Sequence, residues 1–304
     1  MDFEFSLRTL ILTKIAIQIY RHPDINTLER ETREGIRFIS AEKWEPIAKK
    51  KLSSLNLPWT IQREVIALMI PLSVEIGDRQ YDHYPILDRR VWKPSIDYIW
   101  KENGTINRKE TTKNFIKCES NDVLQRFRMA YVYWLEEEAK KLWQEMPETT
   151  RSSLSVISVC NCKLGWENIV KDWIAFIRSG TVDWRKHSFP RCLTWYCQGR
   201  VVIQSSLLQE LSSNEQLYVF QEVMKEGIPT HTKTFCLTQM NEKMFENISK
   251  KEPAQVFKAL LNRPFHSKFQ DMVDRIFTNL SEKDFVNVLN EIICEKIRWK
   301  LKKL

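Results

Sequence analysis

Glycine is scarce in this sequence, with 7 residues in 304, roughly 2% where soluble proteins carry about 7%. Glycine supplies the positive-φ backbone of tight hairpins, bulges and phosphate-cradling loops, so architectures built on those elements are disfavoured. The seven (Gly35, Gly77, Gly104, Gly165, Gly180, Gly199 and Gly227) stand too far apart to compose G-x-G-x-x-G or G-x-x-x-x-G-K-[ST],. A dinucleotide-binding fingerprint and a Walker loop are both excluded.

Long apolar runs are missing too. No stretch approaches the 18 to 20 consecutive apolar residues, about one bilayer's thickness of helix, that a membrane span needs; the longest are short pieces such as Val65 to Ile70 and Met129 to Leu135. The first residues carry Asp2 and Glu4 where a secretory leader has its positive start, and Arg8 and Lys14 interrupt the apolar stretch that follows,. The seven cysteines (Cys118, Cys160, Cys162, Cys192, Cys197, Cys236, Cys294) are an odd, scattered set, unlike a secreted disulfide scaffold,. An intracellular protein, cytoplasmic or nuclear, is the expectation. Hydrophobic residues at 43% and charged residues at 28% are enough for a packed core,.

Apolar residues recur at three and four rather than at two. Leu7, Leu10, Ile11, Ile15 and Ile19 predict a helix that stops before His22-Pro23,. Trp44, Ile47, Ala48, Leu52 and Leu55 predict a second after a cap at Ser40, with Pro46 either kinking it or moving its start toward Glu45,. Ile61, Val65, Leu68 and Met69 predict a third between Pro58 and Pro71. Val123, Phe127, Ala130, Trp134, Ala139, Leu142 and Trp143, after capping residues Ser120 and Asn121, give the longest helical pattern, ending at Met146-Pro147,. Trp166 to Phe176 forms another stripe, closed by Gly180 in the position of a left-handed cap,. Ser212 and Glu215 have the spacing of a capping box, and Pro253 suits a first helical turn,. Strand-like alternation is confined to Ile36–Ile39 and Arg200–Ile203, neither with hairpin chemistry,.

A large apolar residue followed by Ser or Pro and a new amphipathic segment recurs at Leu57-Pro58, Met146-Pro147, Leu211-Ser212 and Leu280-Ser281. Irregular stacking of helix pairs and ordinary bundle punctuation both produce this pattern. The segments Arg21-His22-Pro23-Asp24, Trp134 to Trp143, Phe235 to Asn241 and Leu280 to Phe285 resemble an uncharacterised family of helical proteins expanded in spiders. That resemblance covers most of the chain and implies a helical fold; it implies no activity and no site residues.

Residues able to carry chemistry are present without the spacing chemistry needs. Cys160, Cys162, His187, Cys192 and Cys197 are zinc-ligand types, but neither cysteine pair has the C-x-x-C turn of a structural site,, and free cysteine packs as a small hydrophobe. The histidines (His22, His83, His187, His231, His266) belong to no nucleophile elbow and no H-E-x-x-H helix,. Glu136 and Glu137 precede Lys140 and Lys141 by four, the spacing of a solvated, ion-paired helix face,. Eleven tryptophans mostly fall in the helical stripes, as gap fillers between helices,; Arg89-Arg90-Val91-Trp92-Lys93 and Trp184-Arg185-Lys186 are the places where a tryptophan beside cations would instead stack a base or a peptide,.

The clearest charge feature is the basic tail, Lys296, Arg298, Lys300, Lys302 and Lys303, wrapped on a helix around Ile293, Ile297, Leu301 and Leu304,. It fits an anionic partner, and it fits better as cations that complement a helix dipole and keep an apolar end soluble.

Together these features predict an irregular all-α protein, a stack of antiparallel helix pairs with an N-terminal lobe over 1–120 and a repeat-like region over 121–304. The expected function is a non-catalytic interaction or scaffold protein that binds another protein, with no cofactor, no metal, no small-molecule substrate and no transmembrane segment. The alternative is a helical nucleic-acid-binding protein, motivated by the net charge of +8 and the basic tail.

Overall fold

The computed structural model describes residues 6–83, 87, 98–157, 166–179, 207–228, 230–261, 265, 274 and 276–301, of which 155–157, 166–172, 207, 210, 291 and 294–301 are described in backbone only. The described residues are all-α, with no strand among them and a single isolated bridge between Trp100 and Ile106. No helix among them is long and apolar enough to cross a membrane. The chain groups into two compact units, one of residues 2–81, 93–107 and 256–304, the other of 82–92 and 108–255. The boundary expected near Ser120 falls inside the second of these.

In the first unit, α1 (Leu7–Tyr20) starts where the Ser6 hydroxyl accepts the Thr9 amide at 3.2 Å, and α2 (Pro23–Thr32) starts with proline in its first turn and the His22 ring as cap,. The buried side of α1 is Leu12, Ala16, Ile19 and Tyr20, while Leu7 and Ile11 are exposed. The face expected on Leu7, Leu10, Ile11, Ile15 and Ile19 is thus rotated, because α1 is apolar on nearly every side and its periodicity does not single out one.

Helix α3 (Ala41–Ser53) begins directly after Ser40 and carries Pro46 inside it, burying Trp44, Ala48 and Leu52. Helix α4 (Trp59–His83) runs through Pro71, where the sequence predicted a stop. A mid-helix proline costs about 3 kcal/mol, and Val65, Met69, Leu72 and Ile76 all bury on one side of α4, so the residues beyond Pro71 join the same core. That core gathers α1 to α4 with Ile25, Ile36, Ile39 and Ile106.

Ile36–Ile39, one of the strand-like pieces, is a pair of turns. The Phe38 amide donates to Gly35 O at 2.8 Å and the Ile39 amide to Ile36 O at 3.2 Å. Glu29 pins this segment, accepting from the Ile36 amide at 2.9 Å and from the Tyr20 hydroxyl. Burial pushes the Glu29 carboxyl above its usual range against the pull of those two donors,. The Arg37 guanidinium occupies the space over Gly77 that a side chain would fill.

The second unit contains α5 (Arg108–Lys117), α6 (Val123–Val132), α7 (Glu136–Glu145), α8 (Glu148–Ile157), α9 (Trp166–Ser179), the short α10 (Leu207–Glu210), α11 (Ser213–Val223), α12 (Thr230–Gln239) and α13 (Glu242–Lys251). The longest helical pattern of the sequence is two helices, α6 and α7. Asp122, rather than Ser120 or Asn121, caps the first, accepting the Gln125 amide at 3.1 Å. Trp134 ends it in the left-handed region with φ 53°, and the Leu135 amide reaches back to Ala130 O at 2.9 Å,. The indole that pays for this backbone packs on Trp173, ring centroids 5.4 Å apart. Lys140 pairs with Glu136 and, at 3.7 Å, with Glu137, while Lys141 pairs with Glu145 instead of Glu137. Ser212 and Glu215 form the predicted capping box at the start of α11. Helix α14 (Pro253–Leu260) opens on Pro253, as its position suggested, and α15 (Glu282–Leu301) is the last element. Gly180 and Arg200–Ile203 lie outside the described residues.

Candidate functional site

Two features stand out chemically: a buried ionic array in the second unit and an uncovered apolar stripe in the first.

The array forms where helix ends meet. Asp82, in the last turn of α4, accepts from Arg108 Nη1 at 2.8 Å and lies 3.0 Å from His231 Nδ1. Arg108 opens α5 and His231 is the second residue of α12. The side chains of Asp82 and Arg108 are 3% and 2% exposed, so the pair is held out of water, where a carboxylate is tolerated only with donors around it. His83, next to Asp82, meets the Tyr133 hydroxyl at 2.8 Å with the two rings stacked. His231 Nε2 stands 3.1 Å from Thr232 Oγ, giving a carboxylate, imidazole and hydroxyl in series. The hydroxyl is buried on the same helix as the imidazole, and Arg108 already neutralises the carboxylate. The array therefore ties the ends of α4, α5 and α12 together as an ionic clamp.

The stripe lies on α15. Ser281 caps it: its hydroxyl accepts the Asp284 amide at 3.2 Å, and the Asp284 carboxylate accepts the Ser281 amide at 3.3 Å and the hydroxyl at 2.6 Å. This reciprocal box fixes the first turn, and Phe285 meets Phe277 edge-on at 5.7 Å. One flank of the helix is covered: Val288 is 1% exposed, and Asp284 and Ile292, one turn to either side, are half-buried. The neighbouring flank is open. Phe285, Leu289 and Ile293 recur at every fourth residue with Val286 beside them, and these four are 37, 38, 49 and 48% exposed in that order. A fourfold spacing keeps side chains on one side of a helix over two turns, so the exposed carbons are contiguous.

The predicted site residues meet these features only in part. Lys296, Arg298 and Lys300 lie on the backbone of α15 beyond Ile293, with side chains outside the described residues, and Lys302 and Lys303 lie outside them altogether. Cys160, Cys162, Cys192, Cys197, His187, His266 and the two tryptophan-cation segments are likewise outside. Cys236 is buried and Cys118 exposed; a hydrogen bond with Ser120 holds the Cys118 thiol below its usual range. His22 caps a helix. Among the described residues no group of three His, Cys, Asp or Glu side chains is arranged to hold a metal ion.

Comparison with protein-family models, with curated proteins and with solved structures finds no match to this chain. The class defined by the fold is an all-α protein, and the functional reading rests on its own surface.

Proposed function

We propose that this protein is a non-catalytic interaction protein that binds another protein through a helical surface, with the open flank of α15 as the contact. The observation that carries this reading is the exposed run Phe285, Val286, Leu289 and Ile293. Scattered exposed apolar residues are ordinary, but a contiguous row rimmed by charge marks a contact surface, and an amphipathic helix offering anchors at successive turns is a recurring mode of protein recognition. Charge stands beside the row in Glu282 and Lys283, both exposed in the first turn of the same helix.

The test is an affinity pull-down of the full chain from its own cell extract beside the Leu289→Glu/Ile293→Glu variant, each with and without nuclease and at two salt concentrations. Proteins retained by the parent chain after nuclease and lost with the variant are the expected result. Recovery that collapses with nuclease and with salt, unchanged by the variant, would overturn it in favour of nucleic-acid binding through the basic residues Lys296, Arg298, Lys300, Lys302 and Lys303.

A further inference from the structure

The first unit also exposes apolar side chains at the turn between α3 and α4. Along residues 53–60 every residue except Leu57 is exposed, so the turn stands out from the surface as a tip that carries Leu55 and Trp59. Trp59, the first residue of α4, is 58% exposed. The outer side of α1 borders the start of α4, because the Arg8 guanidinium of α1 holds the Glu64 carboxylate of α4 at 2.6 Å. That side presents Leu7, Ile11 and Lys14, all exposed, and at 3.6 residues per turn the three fall within about 60° of one another. Leu7, at 72%, and Trp59 are more open than any residue of the α15 row.

The charge around these side chains is positive. Residues 46–63 hold Lys49, Lys50, Lys51 and Arg63 with no acid, and residues 6–21 hold Arg8, Lys14 and Arg21 with no acid. The acids at the margin are taken up, Glu45 by Lys49, Glu64 by Arg8 and Asp24 by Lys51. Lys14, Lys50 and Arg63 are exposed and have no ion-pair partner among the described residues.

We propose that this face is a peripheral membrane-contact surface whose occupant is a bilayer with anionic headgroups. Trp59 stands at the boundary of headgroups and hydrocarbon, where both the apolar ring and the N–H of an indole are accommodated. Leu55, Leu7 and Ile11 enter the acyl edge beside it. Lys14, Lys50 and Arg63 meet the lipid anions, each strengthening binding roughly fivefold near an anionic leaflet, while their carbon stems lie along the apolar zone. Nucleic acid would engage the same cations and stack on Trp59, but it offers no apolar cover to three exposed aliphatic side chains. A folded protein would need a hollow shaped to the tip, whereas a fluid bilayer admits a protruding tip without one. The surface is separate from the α15 flank and does not depend on the reading given to that flank.

The experiment is flotation of the full chain with vesicles of phosphatidylcholine alone and of phosphatidylcholine mixed with phosphatidylserine, at low and high salt. The chain is expected to float with the mixed vesicles and to stay behind with the neutral ones. Leu55→Ser/Trp59→Ser and Leu7→Ser/Ile11→Ser are each expected to lower the partition coefficient at least tenfold, roughly the loss of two apolar anchors from a bilayer interface, with circular dichroism and melting unchanged because these side chains are exposed. Lys50→Glu/Arg63→Glu is expected to remove the preference for phosphatidylserine, and high salt to weaken it. Leu289→Glu/Ile293→Glu is expected to float as the parent chain does. No flotation with the mixed vesicles, or flotation that survives either apolar variant, would overturn the proposal, and flotation lost with Leu289→Glu/Ile293→Glu would move the bilayer contact to α15. A chain that bound a single-stranded oligonucleotide through Trp59 without floating would make nucleic acid the occupant, and the proposal would fall.

Discussion

Helices α7 and α15 have the same kind of sequence and opposite fates. Each carries apolar residues at helical spacing and charge on the remainder. In α7, Ala139, Leu142 and Trp143 are all buried, with Trp143 against Phe127 at 5.6 Å between ring centroids, and the charged side is left to Glu136, Glu137 and the lysines. In α15 the buried line is thin, and Phe285, Leu289 and Ile293 face solvent. Amphipathicity states that a face wants cover. Whether the chain itself supplies that cover depends on residues elsewhere, and the difference separates a helix whose apolar side is buried from one whose apolar side stays partly open.

Substitution at matched positions breaks or sustains this contrast. Trp143→Ala should cost about 3 to 5 kcal/mol of folding stability, the usual range for deleting a buried tryptophan side chain, measured by denaturant unfolding. Leu289→Ala, on the open flank, should stay within about 0.5 kcal/mol. A loss at Leu289 comparable to that at Trp143 would mean that α15 is covered as α7 is, and the interaction reading would lose its main support.

A smaller effect sharpens the comparison from within α15. Ser281→Ala removes the cap and should cost about 1 kcal/mol, read as faster hydrogen exchange in the first turn of the helix. It leaves the apolar row in place, so association through the row should weaken far less than with Leu289→Glu/Ile293→Glu.

Features written in local chemistry were legible before the structure. The capping box at Ser212 and Glu215, proline at the start of α14 and the overall helical class depend on residues a few positions apart. Pro71 misled, because the local cost of a mid-helix proline is outweighed by the burial of Leu72 and Ile76 beyond it, a tertiary term. Trp134 hid a helix end, because a left-handed stop is normally announced by glycine and here is held by an indole packed on Trp173. The clamp of Asp82, Arg108 and His231 had no signal at all, since its members come from three helices and nothing in their spacing links them. On α15 the sequence marked a new amphipathic segment after Leu280-Ser281 and an apolar line from Ile293, but that Phe285, Val286, Leu289 and Ile293 stay open shows only in their exposure.

The scarcity of glycine has its own consequence, and it yields the smallest test of burial against exposure. Arg33 closes α2 with φ 57° and Trp134 closes α6 with φ 53°, a conformation that costs a residue with a side chain roughly 1 to 2 kcal/mol. Arg33 is exposed, so Arg33→Gly should relieve that strain. Glycine's greater freedom in the unfolded chain takes part of the gain back, leaving a net stabilisation of a few tenths to about 1 kcal/mol, visible as a melting temperature raised by a degree or two, roughly the scale for a chain of this size. Trp134→Gly relieves the same backbone and also deletes the ring against Trp173, so it should destabilise. Opposite signs at two positions of matching backbone would show that cover by neighbouring side chains, rather than backbone geometry, decides what each residue contributes; equal signs would show that the contact with Trp173 contributes little.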